Sequence, residues 1–280
     1  MQSLFLGLTA ALLWGLHDFT VRKIGPQADA AALYLVVLAA GTVLLAPIAV
    51  FNGGWASLTL PVIGLTLCAG LAMASAGYGL YQAFAIGPVR LVAPICGAFP
   101  LLSICFAMLR GAEAGPLVWL GALAVLGGIA VVARGENDTP SKGTRAAVAW
   151  SVLACVGFAA AFGLLQWAVE TAPDMVISLI ARLAACGYML VLIAVQRIDL
   201  KPALAIWPVL FGLGALDVTA LAAVTVASGF PRPEFASVAS SIFGMVTILL
   251  AWRFLREPMT ARQWMGAVTV FSGIAVLGLV

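Results

Sequence analysis

The sequence predicts an all-α integral membrane protein, with ten transmembrane helices arranged as two inverted five-helix repeats. Three observations predict it. Hydrophobic residues make up 64% of the 280-residue chain and charged residues only 9%, against about a quarter charged in a soluble domain, so the chain cannot cover a soluble surface. Its apolar residues fall in runs of roughly 20, the length a helix needs to cross a hydrocarbon core of about 30 Å, and they do not alternate as barrel strands do. A stretch near the middle of the chain also returns near its end.

The runs place ten spans at 3–20, 30–51, 61–85, 91–109, 117–133, 146–169, 175–195, 204–227, 235–254 and 263–280. The breaks between them carry turn chemistry, among them "KIGPQAD", "NGGWAS", "AIGPVR", "RGENDTPSKGT" and "SGFPRPE". The first run has no basic segment ahead of it and no small-residue cleavage site after it, so it reads as a retained span. Lysine and arginine fall on one side. The first, third, fifth, seventh and ninth loops hold Arg22, Lys23, Arg90, Arg134, Lys142, Arg145, Arg197, Lys201, Arg253, Arg256 and Arg262, while the other loops hold Arg110 and Arg232. The positive-inside rule then puts the odd loops in the cytoplasm and both termini outside.

Residues 119–132, "WLGALAVLGGIAVV", align with 264–277, "WMGAVTVFSGIAVL", at an offset of 145 with eight of fourteen positions identical. Pro88 meets Pro233 at the same offset. The expected repeats are 1–138 and 139–280. An odd number of spans per copy inserts the second copy upside down, the architecture in which transporters build a site near the bilayer midplane.

Several function classes drop out. A net charge of +3 without basic runs and interleaved aromatics gives no nucleic-acid surface. The five cysteines lie within apolar runs and form no C-x-x-C, and with His17 the one histidine no metal site is expected. There is no phosphate-binding loop and no soluble part to hold a nucleotide, so ATP hydrolysis is excluded and no cofactor is expected. Asp217 is the one carboxylate near mid-bilayer, which leaves an intramembrane enzyme without its paired acids or nucleophile and base.

Charged groups within spans are costly and face protein or water. Asp217 lies mid-span in "LGALDVTALA", and Arg182 a third of the way into the seventh span. Asp217 reads either as a substrate or proton contact or as the partner of Arg182. His17 and Asp18 lie one turn from the end of the first span. Trp14, Asp18 and Arg22 share a face at i, i+4 spacing, so Asp18 can pair with Arg22, and this side reads either as a wet face near a pathway mouth or as an interfacial anchor. Histidine also suits proton handling. The third span carries Tyr78, too deep for an interfacial belt residue, with Tyr81 and Gln82, the fourth carries Phe99 and the sixth Trp167. Ser237, Ser240 and Ser241 form a small polar stripe in the ninth, either a packing face or a cavity wall. The glycines Gly121, Gly128, Gly266 and Gly273 read as packing positions between the fifth and tenth spans.

The chain resembles the drug/metabolite transporter superfamily, in its ten-helix EamA-type branch. The resemblance rests on "LLWG", "YQAFAIGPVRLVAP", "FPLLSICFAMLRGAEAGPLVWLGALAVLGGIAVV", "LIARLAA" and "LLAWRFLREPMTARQWMGAVTVFSGIAVL". It implies an arginine early in the second span of each copy; Arg182 matches in one, and Val37 stands in its place in the other. It implies a secondary transporter of the bacterial inner membrane that exports small metabolites, with amino acids, aromatic ones included, as the leading class. Nucleotide-sugar or sugar-phosphate exchange and efflux of hydrophobic cations are the alternatives, and a membrane assembly subunit is the reading from another class. The partners expected are the substrate and the bilayer; a monomer suffices.

Overall fold

The computed structural model describes residues 1–109, 113, 115–133, 142–227, 229–231 and 234–278. Arg110, Arg134 and Arg232 of the charge count, and the expected junction at 138–139, lie outside the described residues. Thirteen α-helices follow in order: α1 (Gln2–Ile24), α2 (Ala30–Asn52), α3 (Leu60–Ile86), α4 (Val89–Cys96), α5 (Phe99–Leu109), α6 (Pro116–Ala133), α7 (Lys142–Val169), α8 (Asp174–Gln196), α9 (Lys201–Ala205), α10 (Trp207–Ala227), α11 (Glu234–Ser240), α12 (Phe243–Phe254) and α13 (Ala261–Leu277). There is no strand among the described residues.

Seven helices are long and apolar enough to cross a membrane: α1, α2, α3, α6, α7, α8 and α10. The expected fourth and ninth spans are each broken, into α4 and α5 and into α11 and α12. Pro100, near the start of α5, has no N–H to give a continuous helix, so it suits a restart. In the ninth span the Ser241 hydroxyl donates to the Val238 carbonyl at 2.6 Å and competes for the helical bond. The two breaks, at 97–98 and 241–242, correspond to within one residue at the offset of 145. The expected tenth span is α13, 17 residues long and opened by a capping box in which Thr260 and Gln263 bond reciprocally.

Packing follows an exchange rule. α1 packs on α10, α11 and α12, while α7 packs on α3, α4 and α5; α2 packs on α10, while α8 packs on α3; α2 packs on α8, and α6 on α13. Small residues allow the close approaches. A Cβ at Gly128 would stand 2.7 Å from the Gly266 carbonyl oxygen, and one at Gly273 would stand 2.8 Å from that of Gly121, so α6 and α13 meet almost backbone to backbone. The outward faces of α6 and α13 keep Trp119, Leu123, Met265 and Val268 exposed, as a lipid-facing pair requires.

Candidate functional site

A cavity of about 180 Å³ lies among α1, α2, α3, α7, α8 and α10 and beside both helix breaks. At 1.5 Å of rise per residue, Trp14 is about 18 Å into α1, Asp217 about 15 Å into α10 and Arg182 about 12 Å into α8. Trp14 and Asp217 are near the middle of their helices and Arg182 about a third of the way along its own. Cys96 and Phe99 flank one break and Phe243 the other, and all three line the cavity.

Its polar groups form two sets. In the first, an Arg182 terminal nitrogen donates to Asp217 Oδ2 at 2.5 Å and Trp14 Nε1 donates to Asp217 Oδ1 at 3.1 Å. The Arg182 side chain is 6% exposed and that of Asp217 30%. The arginine is therefore sealed behind the carboxylate, and the carboxylate faces the cavity. In the second set, His17 Nδ1 lies 3.0 Å from Asp18 Oδ1, and His17 Nε2 lies 3.2 Å from the Tyr81 hydroxyl. Both members of the His17–Asp18 pair are buried.

The walls are aromatic. The Tyr34 and Tyr81 ring centroids are 5.1 Å apart, Trp14 meets Phe243 edge-on at 6.2 Å, and Phe99, Phe158 and Phe162 form one cluster. Tyr34 spans from α2 to α3, where its hydroxyl donates to the Met73 carbonyl. Gly77 makes the space: a Cβ there would collide with the Tyr34 ring.

The end of the bundle where α1 terminates is cross-linked by an ion pair. Arg22 donates from Nε to Glu257 Oε1 at 2.8 Å and from a terminal nitrogen to the Phe84 carbonyl at 2.7 Å. Glu257 Oε2 accepts from the Val89 N–H at 2.8 Å, a carboxylate at the N-terminus of α4 where the helix dipole favours it. Arg256 adopts φ 55°, which turns the chain off α12 toward this cluster. One ion pair thus ties α1, α3, α4 and the α12–α13 connection together.

Among the residues singled out in the sequence, Trp14, His17, Asp18, Tyr81, Phe99, Arg182 and Asp217 line the cavity. Tyr78 and Gln82 do not: Gln82 donates to the Tyr78 hydroxyl at 2.9 Å, and the Tyr78 ring packs edge-on against Trp150. Trp167 is 40% exposed and outside the cavity. Ser240 is buried away from it, and Ser241 serves the break in the ninth span. The side chain of Ser237 lies outside the described residues. Asp18 pairs with His17 in place of Arg22, because Glu257 holds the arginine. Tyr34, Leu38 and Met73 are lining residues that the sequence did not single out. A tyrosine within the unbroken apolar run of α2 was the one available signal. Among the described residues no three potential metal ligands come together.

The EamA-like transporter family matches residues 1–134 and, a second time, 145–279. No curated protein matches the chain. A solved protein, described only as "Crystal structure of protein", superposes with a TM-score of 0.63 over 98% of this chain and 95% of its own, at 16% identity. That likeness is one of fold. Matched across both halves, the chain belongs to the EamA-like transporter family, which comprises multi-pass membrane transporters.

Proposed function

We propose that this chain is a secondary transporter that exports amino acids, aromatic ones included, and similar small metabolites across the bacterial inner membrane by alternating access. The observation that carries the reading is Asp217, held by Arg182 and Trp14 yet open to an aromatic-walled cavity near mid-depth. A ligand with an ammonium group meets a carboxylate there, and an aromatic side chain meets Trp14, Phe99 and Phe243. A ligand carboxylate has one arginine to turn to, and Asp217 already holds it. Phosphorylated sugars would need more cationic groups than Arg182 supplies.

In this reading the ten spans are two five-helix repeats, 1–138 and 139–280, inserted in opposite senses. The exchange rule in the packing and the matched helix breaks support it. The Arg22–Glu257 pair is then the closed gate on the cytoplasmic side, and opening it exposes the cavity to that side. Efflux of hydrophobic cations is the second reading, favoured by two carboxylates against one arginine in the cavity.

The test is inhibition of labelled L-phenylalanine counterflow in proteoliposomes by a panel of unlabelled compounds. The proposal expects competition from amino acids with large side chains and none from nucleotide sugars. Competition from tetraphenylphosphonium alone favours the second reading.

A further inference from the structure

We propose that His17 and Asp18 form the proton site of this transporter, and that one proton on this pair and the ammonium group of a substrate at Asp217 compete to cancel the single excess negative charge of the cavity that all three residues line. The role in transport rests on the reading above; the proton site itself is measurable without transport.

Charge balance is the first argument. Arg182 and Asp217 neutralise one another, and Arg22 is held by Glu257 and the Phe84 carbonyl. The side chain of Asp18 is 6% exposed and that of His17 10%, so Asp18 cannot rely on water to stabilise a charge. The cation that faces it is the imidazole, which is positive only when protonated. With His17 neutral and Asp18 ionised the cavity carries one excess negative charge, and a single proton cancels it. A substrate ammonium cancels the same charge. Both together leave an excess positive charge in a low-dielectric site, so each ligand weakens the other.

Geometry is the second argument. Both imidazole nitrogens already have partners: Nδ1 faces the carboxylate and Nε2 the Tyr81 hydroxyl. In the neutral ring Nδ1–H donates to Asp18 and Nε2 accepts from Tyr81. After proton uptake both nitrogens donate, and Tyr81 turns its hydroxyl hydrogen away and accepts. The proton is gained without breaking either contact. No atom is exchanged beyond that proton, which moves between water in the cavity and Nε2.

The groups facing this pair do not supply a competing titration. From α2 and α3 come the phenols of Tyr34 and Tyr81, and from α4 the thiol of Cys96. From α8 and α10 come Arg182 and Asp217, already matched to each other. α12 presents Phe243 and Thr247 to α1, and α7 presents Phe158 and Phe162 to the cavity.

His17 is the one histidine in the chain, so selective ¹⁵N-histidine labelling gives a single imidazole. The experiment is NMR titration of the full chain, purified through a tag without histidine, from pH 5 to 8 with and without phenethylamine. The expected result is a reversible change between neutral and doubly protonated imidazole. Phenethylamine at ten times its Kd should lower the midpoint by up to about one pH unit, the shift reached when amine and proton exclude one another fully. Asp18→Asn should lose the ligand-dependent shift and Asp18→Glu should keep it. An imidazole that stays in one state over the whole range overturns the proton site. Phenethylamine that fails to bind, or binds without moving the midpoint, overturns the competition. Failure of the transport reading shows separately, as absent counterflow by a protein whose His17 titrates and responds to amine.

Discussion

Arg182 reaches Asp217 across Gly41. The two charged residues stand on α8 and α10, each packed on α2, and a Cβ at Gly41 would stand 2.8 Å from an Arg182 terminal nitrogen and 3.5 Å from the Gly214 carbonyl oxygen. The ion pair therefore depends on a missing side chain in a third helix. Gly41→Ala should push the guanidinium off the carboxylate. It should lower transport while leaving a folded protein, because the neighbour that must yield is the far end of a flexible side chain. Counterflow and size-exclusion profiles of this variant check both halves.

The pair also predicts a pattern of stability. Removing one member of a buried pair costs about 3–5 kcal/mol when the other is left uncompensated. Arg182 is the more deeply sealed partner. Asp217→Ala should therefore lower the melting temperature more than Arg182→Ala with Asp217→Ala together. Thermal melts of purified protein in one detergent decide this; additive losses would contradict it.

Tyr34 and Gly77 should behave as a unit. Gly77→Ala forces the Tyr34 ring out of its seat between α2 and α3, an overpacking cost of about 1–3 kcal/mol. Tyr34→Leu in the same chain removes the colliding ring atoms and should restore the melting temperature. A double variant as unstable as Gly77→Ala alone would show that the strain lies elsewhere.

The Arg22–Glu257 pair should govern access from its own end of the bundle. Glu257→Ala removes the acceptor for both Arg22 and the Val89 N–H. Cys96 is buried and lines the cavity, so in a chain without the other four cysteines its alkylation from that end reports opening. Each 1.4 kcal/mol lost from the closed state corresponds to about a tenfold rise in the open fraction. An unchanged alkylation rate would contradict the gate.

Sidedness follows from lysine and arginine placement. Gln27 and Asn52 are exposed at opposite ends of α2. Single cysteines there should label from opposite sides of inner-membrane vesicles, with position 27 cytoplasmic. Periplasmic labelling at 27 reverses the orientation and moves the Arg22–Glu257 gate to the other face.

Different parts of this molecule were legible in the sequence to different degrees, for physical reasons. Helix extents are visible because lipid demands long apolar runs. The Arg182–Asp217 pair is visible because each charge is too costly to leave alone at that depth. The rotation of a helix that is apolar all round is not visible. Tyr78 and Tyr81, three residues apart on α3, looked alike, yet one packs on Trp150 and the other meets His17. The breaks in the fourth and ninth spans left weak marks, Pro100 in one and a serine pair in the other. The repeat also hides polarity: His17 and Phe162, and Val37 and Arg182, are equivalent at the offset of 145, and all four line the cavity. Each equivalent pair has one polar and one apolar member, so the chemistry of the cavity is less symmetric than its packing.

The central claim is that a small amine-bearing metabolite crosses through the cavity at Asp217. Counterflow of labelled L-phenylalanine into proteoliposomes containing only this protein and loaded with unlabelled L-phenylalanine tests it most directly. The account predicts transient accumulation above the level in protein-free liposomes, and its loss in folded Asp217→Ala. Accumulation no greater than in protein-free liposomes, or full counterflow in Asp217→Ala, would contradict it.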